Sequence, residues 1–262
     1  NRGEVLQTSL GRLNSKLIEK NLRQANVIIL AIGGSYEGPK LLLESIKQHN
    51  FSCLDTNINY QFITGPDSDE FISKTELLNP KNTIFIVASK SFTTDETIES
   101  LKKALEWSID ATHFIAITSN INEPLKYGIK KIDIINFDSK VGGRYSIWSP
   151  IGEFICDYYS FGDFLDGGKK ADEDLQKFSA NKYLDFVKYL AFTDIWHNNS
   201  KGKNTRAVLS YIWKIRSFPN YVQQLEMESL GKHASSNSKF KNTGQIIFGG
   251  YGPTAQHSYF QL

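Results

Sequence analysis

Continuous apolar runs alternate with amphipathic segments through the first half of the chain. Residues 27–32 and 83–88 are apolar throughout or nearly so, which is typical of strands buried on both faces of a sheet. After the second run, Ile98, Leu101 and Leu105 recur at helical spacing. The same reading predicts strands at 60–64, 114–118 and 132–137, and helices at 39–49, 68–78 and 123–127. This alternation predicts a parallel sheet covered by helices.

The second half repeats the α/β theme after a predicted helix at 145–159. Three glycines within 162–168 mark the predicted seam between two domains. Beyond them we predict helices at 169–178, 182–199, 220–230 and 255–262, and strands at 206–211 and 245–248. The predicted fold class is therefore α/β, with two doubly wound, three-layer αβα domains on parallel sheets. The first covers residues 1–161 with a short N-terminal segment, and the second covers 162–262 and is incomplete at its C-terminus.

Composition places the chain among ordinary globular proteins. Hydrophobic residues make up 40%, charged residues 22%, and the net charge is +2. There is no basic excess of the kind that binds nucleic acid or membrane surfaces, and no apolar run approaches the roughly 18 residues that span a bilayer. We therefore expect no nucleic-acid partner and no membrane partner. The two cysteines, Cys53 and Cys156, lack metal-ligand spacing, which favours structural thiols in a reducing cytoplasm.

A cluster of hydroxyls follows the apolar run 83–88. Residues 89–97 (SKSFTTDET) hold five hydroxyl side chains around Lys90. In an open parallel sheet, ligands bind at the carboxyl ends of strands. Thr93 stands three residues before Glu96, the spacing of a capping box, so the loop is predicted to feed a helix N-terminus that attracts anions. The cluster predicts a phosphate site, and plain helix capping is the alternative.

A glycine-rich loop follows the first predicted strand. Residues 32–39 read IGGSYEGP, and Gly33 and Gly38 have the spacing of a P-loop. Pro39 stands where a P-loop needs its lysine, so nucleotide binding is disfavoured. By itself the loop is best explained as a tight turn. Together with the hydroxyl cluster at an adjacent strand end, it predicts a site the size of a sugar phosphate.

Three further residues are candidates for proton transfer or charge stabilisation. Arg144 follows the fifth predicted strand and would stabilise an anion that forms in a reaction. Glu228, near a helix end, suits a general base, and His257, after a glycine-rich turn, suits proton exchange near neutral pH. Each residue also has a non-catalytic interpretation, as a surface arginine, a solvated glutamate or a structural histidine. The histidines form no ligand pattern, so no metal site is expected.

These pieces together resemble the glucose-6-phosphate isomerase family. The resemblance rests on five stretches in family order: 32–39 (IGGSYEGP), 88–97 (ASKSFTTDET), 141–152 (VGGRYSIWSPIG), 218–232 (FPNYVQQLEMESLGK) and 243–262 (TGQIIFGGYGPTAQHSYFQL). They cover almost the whole chain and are specific as a set. The resemblance implies two sugar-isomerase domains and an aldose–ketose isomerisation of glucose 6-phosphate to fructose 6-phosphate, without metal or cofactor.

Roles for individual residues follow from the same resemblance. It implies that the phosphate pocket is formed by Ser89, Lys90, Ser91 and Thr94, and that Gly34 and Ser35 contact the sugar. It further implies that Arg144 stabilises the enediolate, Gln224 positions the substrate, Glu228 moves the proton and His257 assists ring opening. In the family this histidine reaches the site from the partner subunit, so a homodimer is implied.

The chain also departs from the family pattern. Ser91 stands where the family usually has threonine, and Ala31 replaces a glycine. The family continues past the position of Leu262 and carries a lysine there that takes part in ring opening, so we expect a partial chain. The alternative function is a catalytically silent sugar-phosphate sensor, which needs the phosphate loop but not the base. An extracellular signalling role, which the family occasionally supplies, has no supporting feature in this sequence.

Overall fold

The structure is a computed structural model that describes residues 2–46, 57–156, 158–177 and 182–261. It divides into two compact units, Asn1–Tyr158 and Tyr159–Leu262, here called unit 1 and unit 2. The sequence-based domain boundary between residues 161 and 162 stays a prediction.

A parallel sheet of five strands forms the centre of unit 1. Its strands are β1 (Gln24–Leu30), β2 (Asn57–Ile63), β3 (Thr83–Ala88), β4 (Phe114–Thr118) and β5 (Ile134–Asn136). All neighbours pair in parallel in the order β2-β1-β3-β4-β5. The prediction of a parallel sheet is confirmed. The order reverses between β1 and β3, which creates a crevice at their carboxyl ends where such folds bind ligands.

Helices cover both faces of this sheet. They are α1 (Arg2–Glu19), α2 (Gly34–Ile46), α3 (Ser68–Thr75), α4 (Asp95–Trp107) and α5 (Pro150–Glu153). Ile29 and Ile86 pack on one face with Phe154, and Ile28 and Phe85 pack on the other face, where α4 also contributes. Burial on both sides explains why β1 and β3 read as continuous apolar runs rather than alternating ones.

Helix α1 was missed by the sequence analysis, which treated this region as a short N-terminal segment. The buried side chains of Leu13 and Leu17 join α1 to the core under the sheet. Lys16 is also fully buried, and its Nζ lies 2.7 Å from Asp133 Oδ1. Because an unpaired buried charge is very costly, this ion pair fixes how α1 packs.

The predicted continuous helix at 145–159 is wrong. The structure has a 3₁₀ helix at Gly143–Trp148, then α5, then α6 (Tyr158–Gln176). The break falls at Ser149, whose backbone is extended (φ −123°, ψ −178°). The following Pro150 disfavours the helical conformation in the residue before it, and proline itself is well suited to begin a helix.

Unit 2 contains a two-stranded parallel sheet of β6 (Thr205–Ser210) and β7 (Ile246–Tyr251). Its other elements are α7 (Lys182–Ile195), a π-helical turn at Trp196–Ser200, a 3₁₀ helix at Trp213–Ile215, α8 (Phe218–Leu230) and α9 (Gly252–Tyr259). The predicted strands of this half, and the helices predicted at 182–199, 220–230 and 255–262, are confirmed with ends shifted by a few residues. The helix predicted to begin at 169 instead belongs to α6, which begins at Tyr158. The glycines at 162–168 lie inside α6, so this stretch does not interrupt the helix.

Several smaller expectations also differ from the structure. Helix α3 ends at Thr75 rather than at 78, and the predicted helix at 123–127 is a short 3₁₀ helix at Pro124–Tyr127. Strand β5 has three residues, because Lys131–Asp133 forms a 3₁₀ turn before it. The Cys156 side chain is buried and its thiol donates to the Gly152 carbonyl at 3.6 Å, whereas Cys53 lies outside the described residues.

Candidate functional site

A cavity of about 330 Å³ lies at the β1–β3 switch point of unit 1, here called the switch-point cavity. Two loops, which follow β1 and β3, supply most of its lining, and the lining includes Gly34, Ser35, Ser89, Lys90, Ser91, Thr94, Thr97, Ser119 and Gly143. All six residues that the sequence analysis assigned to phosphate and sugar binding in this unit are among them. They meet because the parallel sheet brings the carboxyl ends of β1 and β3 side by side.

Backbone hydrogen bonds to β4 hold the hydroxyl loop in place. The Ser89 amide donates to the Ile117 carbonyl at 3.1 Å. The Lys90 carbonyl accepts from the Ser119 amide at 3.0 Å, and also from Thr118 Oγ1 at 2.9 Å and Ser119 Oγ at 2.8 Å. Because its main chain is tied to the neighbouring strand end, the loop is already ordered before any ligand binds.

Phe92 anchors the loop from below. Its side chain is fully buried, and it is one of two described non-glycine residues with positive φ, at 55°. Its amide donates to Ser89 Oγ at 3.2 Å, which bends the chain around the serine. Since left-handed backbone is unfavourable for a bulky residue, the burial of the ring in the core must compensate for the strain.

The start of α4 differs from the predicted capping box. The N-cap residue is Thr94, not Thr93, and its side chain makes no capping hydrogen bond. Thr93 Oγ1 instead donates to Ser91 Oγ at 2.9 Å. Thr94 and Thr97 at the start of α4 both line the cavity, where the positive end of the helix dipole favours an anion.

Gly34 allows the turn that carries Arg144 to approach the cavity. A Cβ at this position would lie 2.1 Å from the Gly143 carbonyl oxygen and 2.7 Å from the Arg144 amide nitrogen. Ser146 Oγ donates to the Gly34 carbonyl at 3.1 Å and locks the contact. The Arg144 guanidinium lies 5.1 Å from the centre of the Tyr145 ring. The glycine loop is thus more than a tight turn, since it positions the backbone of a second candidate residue.

Thr97 and Ser119 line the cavity but were not assigned by the sequence analysis. Thr97 is 4% exposed, and its Oγ1 is buried without a hydrogen-bond partner among the described residues. A buried hydroxyl without a hydrogen-bond partner is unusual in a protein interior, which makes Thr97 a candidate binding residue of this cavity. Its position three residues after Thr94, on the same side of α4, is the sequence signal that was available.

The candidate residues of unit 2 lie on α8 and α9. Gln224 Nε2 donates to Glu228 Oε2 at 3.2 Å along one side of α8, and Glu228 is exposed. Lys232 Nζ donates to the Glu228 carbonyl at 3.0 Å. The glutamine therefore orients the carboxylate that the sequence analysis selected as a base.

His257 lies on the other side of the unit 2 sheet. Arg206 pairs with Ile247 across the sheet, so their side chains share a face. Arg206 binds Glu226 of α8, which places α8 on this face. Phe248, the next residue of β7, points to the opposite face, where its ring packs 5.4 Å from that of Tyr259 on α9. Glu228 and His257 are therefore carried by helices on opposite faces of one sheet.

Two other kinds of site are absent from the described ranges. No group of three or more His, Cys, Asp or Glu side chains there is arranged to hold a metal ion. In the same ranges, no helix combines the length and apolar character needed to cross a bilayer.

Comparisons with known proteins agree with this picture. Glucose-6-phosphate isomerases from Wigglesworthia glossinidia brevipalpis and Saccharomyces cerevisiae are each 35% identical to the chain, over 253 and 252 residues. These alignments cover 92% and 90% of this chain but only 45% and 44% of the relatives, so the chain spans less than half of their length. A crystal structure of a glucose-6-phosphate isomerase from Chlamydia trachomatis matches with a TM-score of 0.77 and 28% identity, over 97% of this chain and 50% of that one. The family model for phosphoglucose isomerase matches residues 18–262, and the chain therefore belongs to the phosphoglucose isomerase family.

Proposed function

We propose that this chain carries out the interconversion of glucose 6-phosphate and fructose 6-phosphate, as part of an aldose–ketose isomerase. The observation that carries the proposal is the switch-point cavity, where Lys90, several hydroxyls and the start of α4 converge on a space suited to a phosphate. Family membership supplies the reaction, and the cavity supplies an anchor for the phosphate of its substrate.

The proposed roles divide between binding and chemistry. Ser89, Lys90, Ser91 and Thr94 hold the phosphate, and Gly34 and Ser35 face the sugar. Fixing the phosphate positions the sugar carbons for reaction, since binding energy away from the reacting centre is used for orientation.

The chemical steps are assigned to Arg144, Gln224, Glu228 and His257. Glu228 removes the proton from C2 of the open-chain aldose and delivers it to C1, while the proton of the C2 hydroxyl passes to the C1 oxygen, so that the atoms balance. Gln224 holds the carboxylate and the substrate, and Arg144 stabilises the negative charge of the enediolate intermediate. His257 assists ring opening by exchanging a proton with the ring and hydroxyl oxygens.

The test is turnover of fructose 6-phosphate, measured by coupling glucose 6-phosphate to a dehydrogenase. Replacing Glu228→Gln should lower kcat by about 10²–10⁴-fold while KM changes little. The control is Glu106→Gln, which changes another exposed glutamate near the end of a helix, α4. Equal turnover by the Glu228→Gln variant and the wild type would remove Glu228 as the base. Undiminished binding without any wild-type turnover would favour the silent sensor.

We also propose a homodimer in which His257 serves the partner subunit's site. The support is that Glu228 and His257 are carried by helices on opposite faces of the unit 2 sheet. Mixing Glu228→Gln and His257→Ala variants should restore activity, because a mixed dimer contains one site with both residues intact. Activity that stays at the level of the separate variants after subunit exchange would contradict the shared site. The cytoplasmic location and the absence of a metal or cofactor stay predictions.

A further inference from the structure

Unit 2 contains a second cavity that the proposed isomerase mechanism does not use. It has a volume of about 510 Å³ and lies between α7, α8 and the loop before β7, and is here called the α7–α8 cavity. Its size is in the usual range for small-molecule sites, roughly 300–1,000 Å³. Six of its lining residues carry the argument: Asp194, Asn198, Glu226, Ser229, Lys232 and Phe240.

This cavity is separate from the side of α8 that holds the candidate base. Glu226 and Leu230 are four residues apart and both line the cavity, so one side of α8 faces it. Glu228 lies about 160° around the helix from Glu226 at 3.6 residues per turn, and pairs there with Gln224. A ligand in the α7–α8 cavity would therefore sit behind the helix that carries Glu228.

The inner part of the cavity presents hydrogen-bond acceptors. Arg206 binds Asp194 Oδ1 at 2.6 Å and also Glu226 Oε2, which leaves the second oxygen of each carboxylate able to accept a donor. Asn198 is 4% exposed and donates to the Gly244 carbonyl at 3.0 Å. Its Oδ1 is buried and has no hydrogen-bond partner within the described residues. Acceptors of this kind suit the hydroxyls of a polyol.

The outer part of the cavity is positively charged. Lys232 lines it, and only one of the three protons of its ammonium group is used by the Glu228 carbonyl. The stretches 196–204 and 231–245, here called the mouth, supply nine of the lining residues and contain no acidic residue. They also carry four exposed lysines that are not among the lining residues, Lys201, Lys203, Lys239 and Lys241. This excess of positive charge favours an anionic group at the mouth.

Hydrogen bonds connect the two stretches that carry these lysines. Asn199 Nδ2 donates to the Asn242 carbonyl at 3.2 Å, and the Asn242 amide donates to Asn199 Oδ1 at 3.1 Å. Gln245 Nε2 donates to the Lys203 carbonyl at 2.7 Å. The half-exposed ring of Phe240 lines the cavity beside them and offers an apolar face to a carbon chain or ring.

We propose that the α7–α8 cavity binds a polyol that carries a phosphate, with its hydroxyls at Asp194, Asn198 and Glu226 and its phosphate at Lys232 and the mouth lysines. The acceptor-rich interior and the cationic mouth match the two ends of such a molecule. This site is distinct from the switch-point cavity, which lies wholly in unit 1.

The test is calorimetric titration with sorbitol 6-phosphate, which has no carbonyl group and therefore cannot be isomerised. The Ser89→Ala/Lys90→Ala variant weakens the switch-point cavity and should still bind the probe saturably. In that background, Ser229→Leu, which fills the cavity, and Lys232→Gln, which removes its charge, should each weaken binding at least tenfold. Lys188→Gln, an exposed lysine of α7 outside the cavity, is the control and should leave affinity unchanged.

Sorbitol and inorganic phosphate test separately whether the cavity recognises the polyol and the phosphate. Sorbitol alone and inorganic phosphate alone should each bind at least tenfold more weakly than sorbitol 6-phosphate. Loss of all saturable binding in Ser89→Ala/Lys90→Ala would overturn the second site. So would binding that neither Ser229→Leu nor Lys232→Gln weakens. Phosphate binding as tight as that of the probe would refute recognition of the polyol.

Discussion

The two units present their candidate residues in different ways. In unit 1, the loop from Ser89 to Thr94 is tied to β4, anchored by the buried Phe92 and ended by the start of α4. In unit 2, Glu228 and His257 are exposed side chains on helices that cover opposite faces of a sheet. In unit 1, main-chain hydrogen bonds hold the loop that lines the switch-point cavity. In unit 2, the side chains proposed for the chemistry are carried by helices on opposite faces of the sheet.

In the proposed isomerase, substrate affinity and turnover would therefore depend on different groups of residues. A change in the main chain around the switch-point cavity should disturb both folding and substrate affinity, because the same contacts serve both. A change in Glu228 or His257 should disturb turnover alone, because these side chains contribute little to the packing of their unit.

The substitution expected to disturb the switch-point cavity most strongly is Gly34→Ala. The new methyl would overlap the Gly143 carbonyl, 2.1 Å away, and would push the Arg144 turn outward. We expect unfolding free energy to fall by about 3 kcal/mol or more, and KM to rise with it. Urea denaturation and steady-state kinetics measure the two effects.

The control for Gly34→Ala is Gly143→Ala. A Cβ at Gly143 would meet no heavy atom within 4 Å, so stability should change by less than about 1 kcal/mol. Equal effects of the two substitutions would show that the close approach at Gly34 does not hold this turn.

Within unit 1, the buried carboxyl group of Glu153 should make the stability of the fold depend on pH. Burial raises the pKa of Glu153 from 4.5 to about 7, although Ser9 donates to it from both its amide and its hydroxyl. The folded chain then binds this proton more tightly than the unfolded chain, so stability should fall as pH rises from 4.5 to about 7. The loss should be about 3 kcal/mol, and no further loss from this group is expected above that range.

Urea denaturation across this pH range measures the effect, and Glu153→Gln should flatten the profile because glutamine does not titrate. Glu106→Gln, an exposed glutamate, should keep the wild-type slope. A Glu153→Gln profile as steep as that of the wild type would assign the pH dependence to other groups.

The smallest expected effect belongs to Thr97→Val. The substitution removes a buried hydroxyl that has no partner among the described residues, so stability should stay the same or rise by about 1 kcal/mol. If that hydroxyl binds the phosphate, KM should rise by roughly tenfold or more, because a hydrogen bond to a charged group contributes about 1.5–3 kcal/mol.

Thr75→Val is the matched control for Thr97→Val. Thr75 is equally buried on a helix, but its Oγ1 donates to the Phe71 carbonyl at 2.8 Å and lies outside the cavity. Its replacement should lower stability and leave KM unchanged. A KM that does not move in Thr97→Val would show that the hydroxyl takes no part in binding.

The sequence predicted best those elements that are marked by a single clear feature, such as a continuous apolar run or a glycine at a helix end. Strand β1 from Val27 onward and strand β3 from Ile84 onward are buried on both faces and are therefore continuous apolar runs. Helix α8 ends at Gly231, as its glycine indicated. The prediction of one continuous helix before α6 was wrong because the apolar residues of that region have helical spacing. Pro150 imposes an extended backbone on Ser149, which the spacing does not reveal.

The candidate site was predictable only in part. The hydroxyls of the loop at 89–94 were visible in the sequence, but the true N-cap, Thr94, depends on the turn at Phe92 and on the Ser91–Thr93 hydrogen bond. The strand order that places β1 beside β3 arises from contacts far apart in the chain. The opposite placement of Glu228 and His257 likewise depends on sheet pairing, which local patterns do not specify.

The placement of α8 and α9 on opposite faces has a consequence for how activity depends on protein concentration. If each site borrows its histidine from the partner, a separated subunit keeps its phosphate cavity and loses its ring-opening group. Specific activity on the cyclic sugar would then fall on dilution as subunits dissociate, by mass action, while affinity for phosphorylated ligands at the switch-point cavity would persist. Supplying the substrate in its open-chain form would relieve that loss, so the same dilution series would separate ring opening from proton transfer.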